Sequence, residues 1–211
     1  MSVVSAPTTR TPVLADLIAR PASRSRAFAI DATLVLAGVA LVALLAKVSF
    51  FIGPVPISGQ TLGVIVVGAA LGAKRAAASL TTYMLVGLAG LPVFAGPTAG
   101  PAYALMPSFG FVLGFIPAAF VAGWVAQRAW DRNPALAFVG FVGASIVPFL
   151  IGVPYMAIVL TAVMGQDMTL AGVLEAGVWP FVIPGLIKAA VAALIIPGAW
   201  LLVRAADRAK R

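Results

Sequence analysis

The sequence predicts an all-α fold: an integral membrane bundle of about six transmembrane helices, with both termini in the cytoplasm. Composition is the first reason, because 62% of the 211 residues are hydrophobic and only 9% are charged, whereas soluble domains carry roughly 25% charged residues. The second reason is that apolar runs recur along the whole chain, so a bilayer is a better solvent for it than water. The third is that basic residues gather at alternate turns between these runs, as they do in membrane proteins with a fixed orientation.

Six apolar runs are the candidate membrane spans. They cover residues 27–52, 57–73, 76–90, 109–130, 134–164 and 178–203. A helix of about 20 residues crosses the hydrocarbon layer, so the first run is long enough. The second and third runs are short and are expected to be tilted, bent or partly interfacial. The fifth run is overlong and contains Pro148 and Pro154, at which we expect kinks.

The distribution of basic residues predicts the orientation of the bundle. With the N-terminus inside and six crossings, the inner segments hold all 14 basic residues except Lys47 and Lys188, which makes twelve. The outer turns at 53–56, 91–108 and 165–177 then contain no lysine or arginine. This pattern follows the positive-inside rule and supports the number of spans as well as their direction. The predicted location is the cell inner (plasma) membrane, as a multi-pass protein.

The predicted domain organisation has three parts: a polar cytoplasmic tail at 1–27, a six-helix membrane domain at 28–203 and a basic cytoplasmic tail at 204–211. Four apolar residues of the first tail have helical spacing, so this segment forms either a short surface helix or a disordered tail. These residues are Val13, Leu14, Leu17 and Ile18.

The residue types that are missing from the sequence exclude many enzyme classes. The chain has no cysteine and no histidine, which excludes disulfides, thiolate nucleophiles and Cys/His metal sites and removes the usual general base near neutral pH. It also has no phosphate-binding loop and no pair of carboxylates placed for acid–base chemistry. We therefore predict no enzyme activity, no cofactor, no metal and no ATPase within the chain itself. Membrane orientation explains the net charge of +8, so nucleic acid is not a predicted partner.

Lys188 is the residue that most directly indicates a function. It lies ten residues into the sixth run, roughly 12 Å deep if the helix begins near Pro180 and one turn deep if it begins at Pro184. An ionisable residue near the middle of a membrane costs at least about 2.5 kcal/mol, so it needs a partner or a wet cavity. Two alternatives stay open: a salt bridge to Asp167 or Glu175, or an anionic ligand that enters from outside. A helix that began at Pro184 would also aim free backbone N–H groups at that anion.

The uncharged segment 91–108, called the outer loop from here on, holds four prolines and two glycines. This composition predicts a loop tucked over the mouth of the bundle rather than a hydrophilic connection. Phe94, Tyr103 and Phe109 are candidates for the wall of an apolar pocket. Tyr103 and Ser108 offer hydroxyl groups to a ligand. The alternative is a loop that packs only for its own stability.

Three further features each have a structural and a functional interpretation. Gln60, one turn into the second run, is either a ligand contact or a polar link between helices. Lys47, near the outer end of the first run, is expected to snorkel to the interface. Small residues at helical spacing indicate either packing within the bundle or docking to another membrane subunit. They are Ala29, Thr33 and Ala37, Gly68 and Gly72, and Gly110 and Gly114.

Residues 54–96 read PVPISGQTLGVIVVGAALGAKRAAASLTTYMLVGLAGLPVFAG. The proline-rich entry, the Gln60-Thr61 pair, the Gly-Ala-Leu-Gly run into a basic turn, Tyr83 and the Gly-Leu-Pro-Val-Phe-Ala ending resemble the BioY family. Members of this family are the biotin-binding S components of energy-coupling-factor (ECF) vitamin transporters. The likeness is specific in this stretch and looser over the rest of the chain from about residue 30.

The resemblance implies a six-helix bundle that captures biotin near its outer face, and biotin carries a carboxylate that is an anion at neutral pH. In the family a lysine of the sixth helix helps form the site, and Lys188 falls at that position. A transmembrane coupling subunit and cytoplasmic ATPase subunits are the partners that the resemblance implies, although some members work without dedicated partners. Biotin is then a transported substrate rather than a cofactor.

Two positions depart from the family pattern. Gly185 stands three positions before the lysine, where an acidic residue is usual, and residues 106–110 read MPSFG instead of a Gly-Pro-Thr-Gly-Gly-like segment. The first departure keeps open a second hypothesis, that the same architecture binds another vitamin or small anion. The stripes of small residues keep open a third, a membrane scaffold without a small ligand.

Overall fold

The computed structural model describes residues 11–17 and 23–209, and seven α-helices make up most of this part of the chain. They are α1 (Arg24–Lys47), α2 (Gln60–Leu71), α3 (Ala73–Leu88), α4 (Phe109–Ala126), α5 (Pro134–Ile158), α6 (Leu170–Gly177) and α7 (Trp179–Ala209). Two short strands, β1 (Ser49–Phe51) and β2 (Pro56–Ser58), pair antiparallel as a hairpin. Single 3-10 turns cover Leu14–Leu17, Pro101–Leu105 and Trp130–Arg132, and a π-helical turn at Val159–Val163 follows α5.

Four helical stretches in the described chain are long and apolar enough to cross a membrane. They are Arg24–Lys47, Phe109–Ala126, Pro134–Val163 and Leu170–Ala209. The second and third apolar runs form α2 and α3, which have 12 and 16 residues and are short, as their sequence predicts. Pro148 and Pro154 both lie inside the continuous helix α5. Each of the six predicted runs contains a helix, although the end of the first run and the start of the second form β1 and β2. The number of crossings and the cytoplasmic position of the termini stay predictions.

Helix α4 is the centre of the bundle, because twelve of its eighteen residues are buried. It packs against α2, α3 and α5, and glycine permits the closest approaches. A Cβ atom on Gly123 would lie 2.3 Å from the backbone nitrogen of Ala73. A Cβ atom on Gly114 would lie 2.6 Å from the Cα atom of Pro148. The small residues of α4 therefore serve packing inside the bundle.

The stripe of small residues on α1 has different surroundings. Ala29, Thr33 and Ala37 are exposed, and the Thr33 hydroxyl bonds within its own helix, to the carbonyl of Ala29 at 2.9 Å. Helix α1 packs on α2 and α3 through another face, which includes the fully buried Val42. This stripe is therefore not used for packing within the described chain.

Residues 11–17 pack against the end of the bundle where α4 ends. The Val13 side chain is fully buried. The backbone N–H and the hydroxyl of Thr11 both donate to the carbonyl of Gln127, at 3.1 and 2.7 Å. The N-terminal segment was predicted to form either a short surface helix or a disordered tail. Its described part contains a short 3-10 turn that packs against the bundle. The predicted contribution of Ile18 lies outside the described residues.

Arg75, at the start of α3, joins this N-terminal turn to α1. Its guanidinium forms salt bridges with Asp16 at 2.7 Å and with Asp31 at 2.8 Å. Three separate segments are therefore held together at the end of the bundle that carries most of the basic residues.

Two of the predicted outer turns include part of a strand or an α-helix. The turn at 53–56 lies within the β1–β2 hairpin, and the turn at 165–177 contains α6. Helix α6 begins at a regular cap, in which the Thr169 hydroxyl accepts a hydrogen bond from the Gly172 N–H at 3.2 Å. The predicted basic tail at 204–211 continues α7 as far as the described residues extend.

Candidate functional site

A cavity lies where the hairpin, the outer loop and helices α2, α4, α5 and α7 converge. Four of the six residues predicted from the sequence line it: Lys188, Gln60, Tyr103 and Ser108. They come from distant parts of the chain, and the fold brings them to one place.

Lys188 reaches into the cavity from α7 and donates hydrogen bonds to neutral acceptors. Its Nζ atom lies 2.6 Å from the carbonyl oxygen of Ser58 and 3.0 Å from the hydroxyl oxygen of Thr61. All six acidic residues of the chain lie within the described residues, and the two salt bridges found there both involve Arg75. The predicted alternative, a salt bridge from Lys188 to a carboxylate of the 165–177 turn, is therefore wrong.

Helix α7 places Lys188 well below the end of the bundle. The helix begins at Trp179 and continues through Pro180 and Pro184. Lys188 thus lies nine positions from the helix start, or about 13 Å along its axis, which agrees with the deeper of the two predicted positions. A helix start at Pro184 is wrong, and so is the predicted set of free N–H groups there.

Gln60 belongs to a hydrogen-bonded network at the edge of the cavity. Its Nε2 atom donates to the Tyr83 hydroxyl at 2.7 Å, and its Oε1 atom accepts from the Ser58 hydroxyl at 2.8 Å. The Tyr83 hydroxyl in turn donates to the Val93 carbonyl at 2.9 Å. Gln60 therefore links helices and lines the cavity at once. Thr61 and Tyr83 were not predicted as site residues, although both belong to the stretch that carries the family resemblance.

Tyr103 and Ser108 form a pair in the cavity wall, with the Ser108 hydroxyl donating to the Tyr103 hydroxyl at 3.1 Å. Phe94 and Phe109 do not line the cavity, contrary to their predicted place in its wall. They hold the Tyr103 ring from behind: Phe94 stacks on it at 4.0 Å between centroids, and Phe109 meets it edge-on at 6.2 Å. Phe94 and Phe109, which were predicted to form the apolar wall, thus lie behind a residue that lines the cavity.

Phenylalanines that the sequence did not single out form the apolar wall itself. Phe111, Phe115, Phe149 and Phe181 line the cavity. The Phe111 ring meets Phe149 edge-on at 5.7 Å and stacks on Phe181 at 6.2 Å. No sequence signal marks them, because apolar residues that face lipid and apolar residues that face a cavity look alike in a membrane helix.

Lys47 fixes the outer loop over the bundle. Its Nζ atom donates to the carbonyls of Pro92 at 2.6 Å and Phe94 at 3.0 Å. At the other end of the loop, the Tyr155 hydroxyl donates to the Ala104 carbonyl. The ammonium of Lys47 therefore binds protein carbonyls, which the prediction of simple snorkelling did not include.

Gly185 lies apart from the cavity. It lines a separate apolar groove between α5 and α7, and a Cβ atom on Gly185 would have no atom within 4 Å. Gly185 therefore contributes nothing to the lining of the Lys188 cavity in this structure. The second departure, at 106–110, contributes Ser108 to that lining.

The cavity offers one cation, an amide, several hydroxyls and a phenylalanine wall, a combination that suits a small organic anion with an apolar body. Within residues 11–17 and 23–209, no three His, Cys, Asp or Glu side chains are grouped closely enough to hold a metal ion. A helical membrane bundle with such a cavity at one end is typical of membrane proteins that bind a small solute.

Comparison with known proteins identifies the family. The chain is 34% identical over 159 residues to a protein named biotin transporter BioY from Rhizobium etli, across 72% of this chain and 81% of the relative. It is 34% identical over 165 residues to a probable biotin transporter BioY from Pyrococcus horikoshii, across 78% and 93%. The model of the BioY family matches residues 18–205. The chain belongs to the BioY family, which confirms the resemblance read from residues 54–96.

A solved structure shows the same fold. The structure of this chain is similar to the crystal structure of the S-component for biotin from an ECF-type ABC transporter, with a TM-score of 0.63 at 23% sequence identity. The match covers 85% of this chain and 94% of that chain. The two proteins therefore share the same helical arrangement.

Proposed function

We propose that this chain mediates biotin uptake across the cell inner membrane, as the high-affinity substrate-binding (S) component of an ECF-type transporter. Membership of the BioY family and the names of the relatives support biotin as the substrate. The observation that carries the binding step is the ammonium of Lys188, which lies in the cavity and bonds to neutral acceptors at 2.6 and 3.0 Å.

In this proposal Lys188 binds the carboxylate of biotin. A lysine ammonium has three N–H donors, and Ser58 and Thr61 accept from two of them. A carboxylate takes the third donor or replaces a neutral acceptor, and such charge-assisted bonds are about twice as strong as bonds between neutral groups. The uncompensated positive charge therefore favours an anion over a neutral solute.

In this proposal the other polar residues that line the cavity supply contacts for the ureido ring. Because Ser108 donates to the Tyr103 hydroxyl, the hydrogen of Tyr103 is available to a ligand oxygen. Gln60 is a second polar candidate, held in place by its bonds to Tyr83 and Ser58. The phenylalanine wall encloses the apolar part of the molecule, and Phe94 and Phe109 contribute by fixing Tyr103.

Equilibrium binding to purified protein tests this proposal. Lys188→Ala is expected to weaken biotin binding by well over tenfold, which is about 1.4 kcal/mol or more. Lys74→Ala is the matched control, because Lys74 is an exposed lysine in the first turn of α3. Unchanged affinity in a folded Lys188→Ala protein removes Lys188 from the site. Competition by a panel of vitamins tests the alternative ligand, and the absence of thermal stabilisation by any vitamin supports the scaffold alternative.

The proposed topology has six crossings, with α2 and α3 as short spans and both termini inside. Because the chain has no cysteine, single-cysteine variants report accessibility without background. Leu170→Cys, at the exposed first position of α6, should react with a membrane-impermeant maleimide in intact cells. Lys74→Cys should react only after the membrane is opened, and labelling of both in intact cells contradicts the topology.

A transmembrane coupling subunit and cytoplasmic ATPase subunits are the proposed partners. The exposed stripe at Ala29, Thr33 and Ala37 supports a helical partner, because small residues permit close helix contact in lipid. Thr33→Leu with Ala37→Leu should reduce co-purification of the coupling subunit without changing biotin affinity. Leu202→Ala, an exposed position on α7, is the control. Unchanged co-purification in the double variant contradicts this docking face.

A further inference from the structure

A second recess lies on the surface of the bundle, in a groove between α5 and α7. Its volume is about 310 Å³. The groove follows facing stripes of the two helices, with Ile146 and Phe149 on the α5 side and Val182, Gly185 and Leu186 on the α7 side. Gly185 opens the groove, because it leaves the space free that a side chain on this face of α7 would fill.

The groove is lined almost entirely by apolar side chains. Ser145 is the polar residue of the lining, and its hydroxyl already donates to the Phe141 carbonyl at 2.8 Å. The rim is open to the surroundings, since Ile146 is 54% and Leu186 43% exposed. An occupant of this groove therefore gains mainly apolar contact.

The position and direction of the groove match one part of the bilayer. Both helices belong to stretches long and apolar enough to cross a membrane, so in a bilayer the exposed rim of the groove would face hydrocarbon. Its α5 side covers residues 142–149, which is about 10 Å along the helix axis. That length is about a third of the hydrocarbon thickness. The groove runs parallel to the helix axes, and the acyl chains of a lipid leaflet lie in roughly the same direction.

We propose that this groove binds one acyl chain of a membrane lipid. The floor of the groove is also a wall of the Lys188 cavity, because Phe149 and Phe181 line both spaces. Their rings meet at 6.1 Å between centroids and at 64°. A bound acyl chain thus packs on the outer side of the same phenylalanines that face the cavity.

Photo-crosslinking in lipid nanodiscs tests the proposal. The probe is a phosphatidylcholine with a diazirine in its acyl chain, and the adducts are located by mass spectrometry. In the wild type, adducts should be more abundant at Ile146 and Val182 than at Leu194. Leu194 lies on α7, as Val182 does, and is 69% exposed outside the groove. Gly185→Leu fills the groove and should lose the groove adducts. Gly198→Leu is the control, because a Cβ atom there also meets nothing within 4 Å.

Val182→Trp fills the groove from a neighbouring turn and serves as a second variant if Gly185→Leu does not fold. The proposal is overturned if adducts are spread evenly over the exposed positions, or if both groove-filling variants keep them. It is also overturned if a second protein chain, rather than lipid, crosslinks to the groove. The adducts are scored without biotin, so a failure of biotin binding contradicts the proposed function and does not affect this result.

Discussion

Replacing Lys188 with methionine tests the proposed anion contact with little change of shape. Methionine keeps an unbranched side chain but has neither a charge nor an N–H donor. In the structure, Lys188 also bonds to Ser58 at 2.6 Å and to Thr61 at 3.0 Å. A loss of biotin affinity in Lys188→Met thus has two sources, the missing charge and a disturbed hairpin, and the experiment must separate them.

The geometry sets the size of the expected effect. A carboxylate oxygen about 2.8 Å from the ammonium gains roughly 6 kcal/mol at an effective dielectric constant of about 20. Desolvation of both groups offsets much of this gain, and truncating one member of a buried, hydrogen-bonded charge pair costs about 2–5 kcal/mol in measured complexes. We expect the lower end, because the ligand carboxylate returns to water when biotin is not bound. About 2 kcal/mol corresponds to roughly thirtyfold weaker binding.

A cycle that changes the protein and the ligand together isolates the charge contact. Biotin and biotinamide, its neutral counterpart, are each titrated into the wild type and into Lys188→Met. The wild type should prefer biotin by roughly thirtyfold, and the variant should bind the two ligands nearly equally. Lys74→Met, an exposed position, should keep the wild-type preference. If Lys188→Met weakens both ligands equally, the lysine holds the hairpin and α2 together and does not contact the carboxylate.

Three further predictions concern the scaffold around the cavity. Gly123→Ala should lower the melting temperature in detergent, because its Cβ atom would lie 2.3 Å from the Ala73 backbone nitrogen and overpacking of this kind costs about 1–3 kcal/mol; an unchanged melting temperature contradicts the close contact. Tyr83→Phe should lower the free energy of unfolding by about 1–3 kcal/mol in denaturant titrations, because it leaves the buried amide of Gln60 without its acceptor. A stability equal to that of the wild type would mean that the network is dispensable. Lys47→Met should speed chymotrypsin cleavage in the outer loop, whose carbonyls lose an ammonium donor at 2.6 and 3.0 Å; wild-type cleavage rates would show that other contacts hold the loop.

The helices could be predicted from the sequence, whereas the smaller elements could not. Long apolar runs and the placement of basic residues are strong signals, since the bilayer constrains both. The strands Ser49–Phe51 and Pro56–Ser58 have three residues each, too few for an alternating pattern to stand out from a helix end. Helix Leu170–Gly177 has eight residues and lies between the fifth and sixth apolar runs, in the segment 165–177 that was predicted as an outer turn without basic residues.

Within the candidate site, the sequence indicated polar residues better than apolar ones. Lys188 and Gln60 stand out because a charge or an amide in an apolar run needs a partner, whatever the rotation of its helix. Phenylalanine has no such requirement in lipid, so its direction depends on how the helices pack. Phe149 was therefore missed, and Phe94 was assigned to the wall although it lies behind Tyr103.

The surroundings of Lys188 suit a ligand that is released as well as captured. A carboxylate of the chain in this place would bind the ammonium strongly, since breaking a buried ion pair costs about 3–5 kcal/mol, and biotin would have to compete with it. Ser58 and Thr61 offer neutral acceptors instead, which satisfy two donors and leave the charge uncompensated. Ser58 ends β2 and Thr61 lies in the first turn of α2. Under the proposed function, a ligand that drew the ammonium away from these acceptors would loosen both elements, and binding would then be linked to the position of the hairpin beside the cavity.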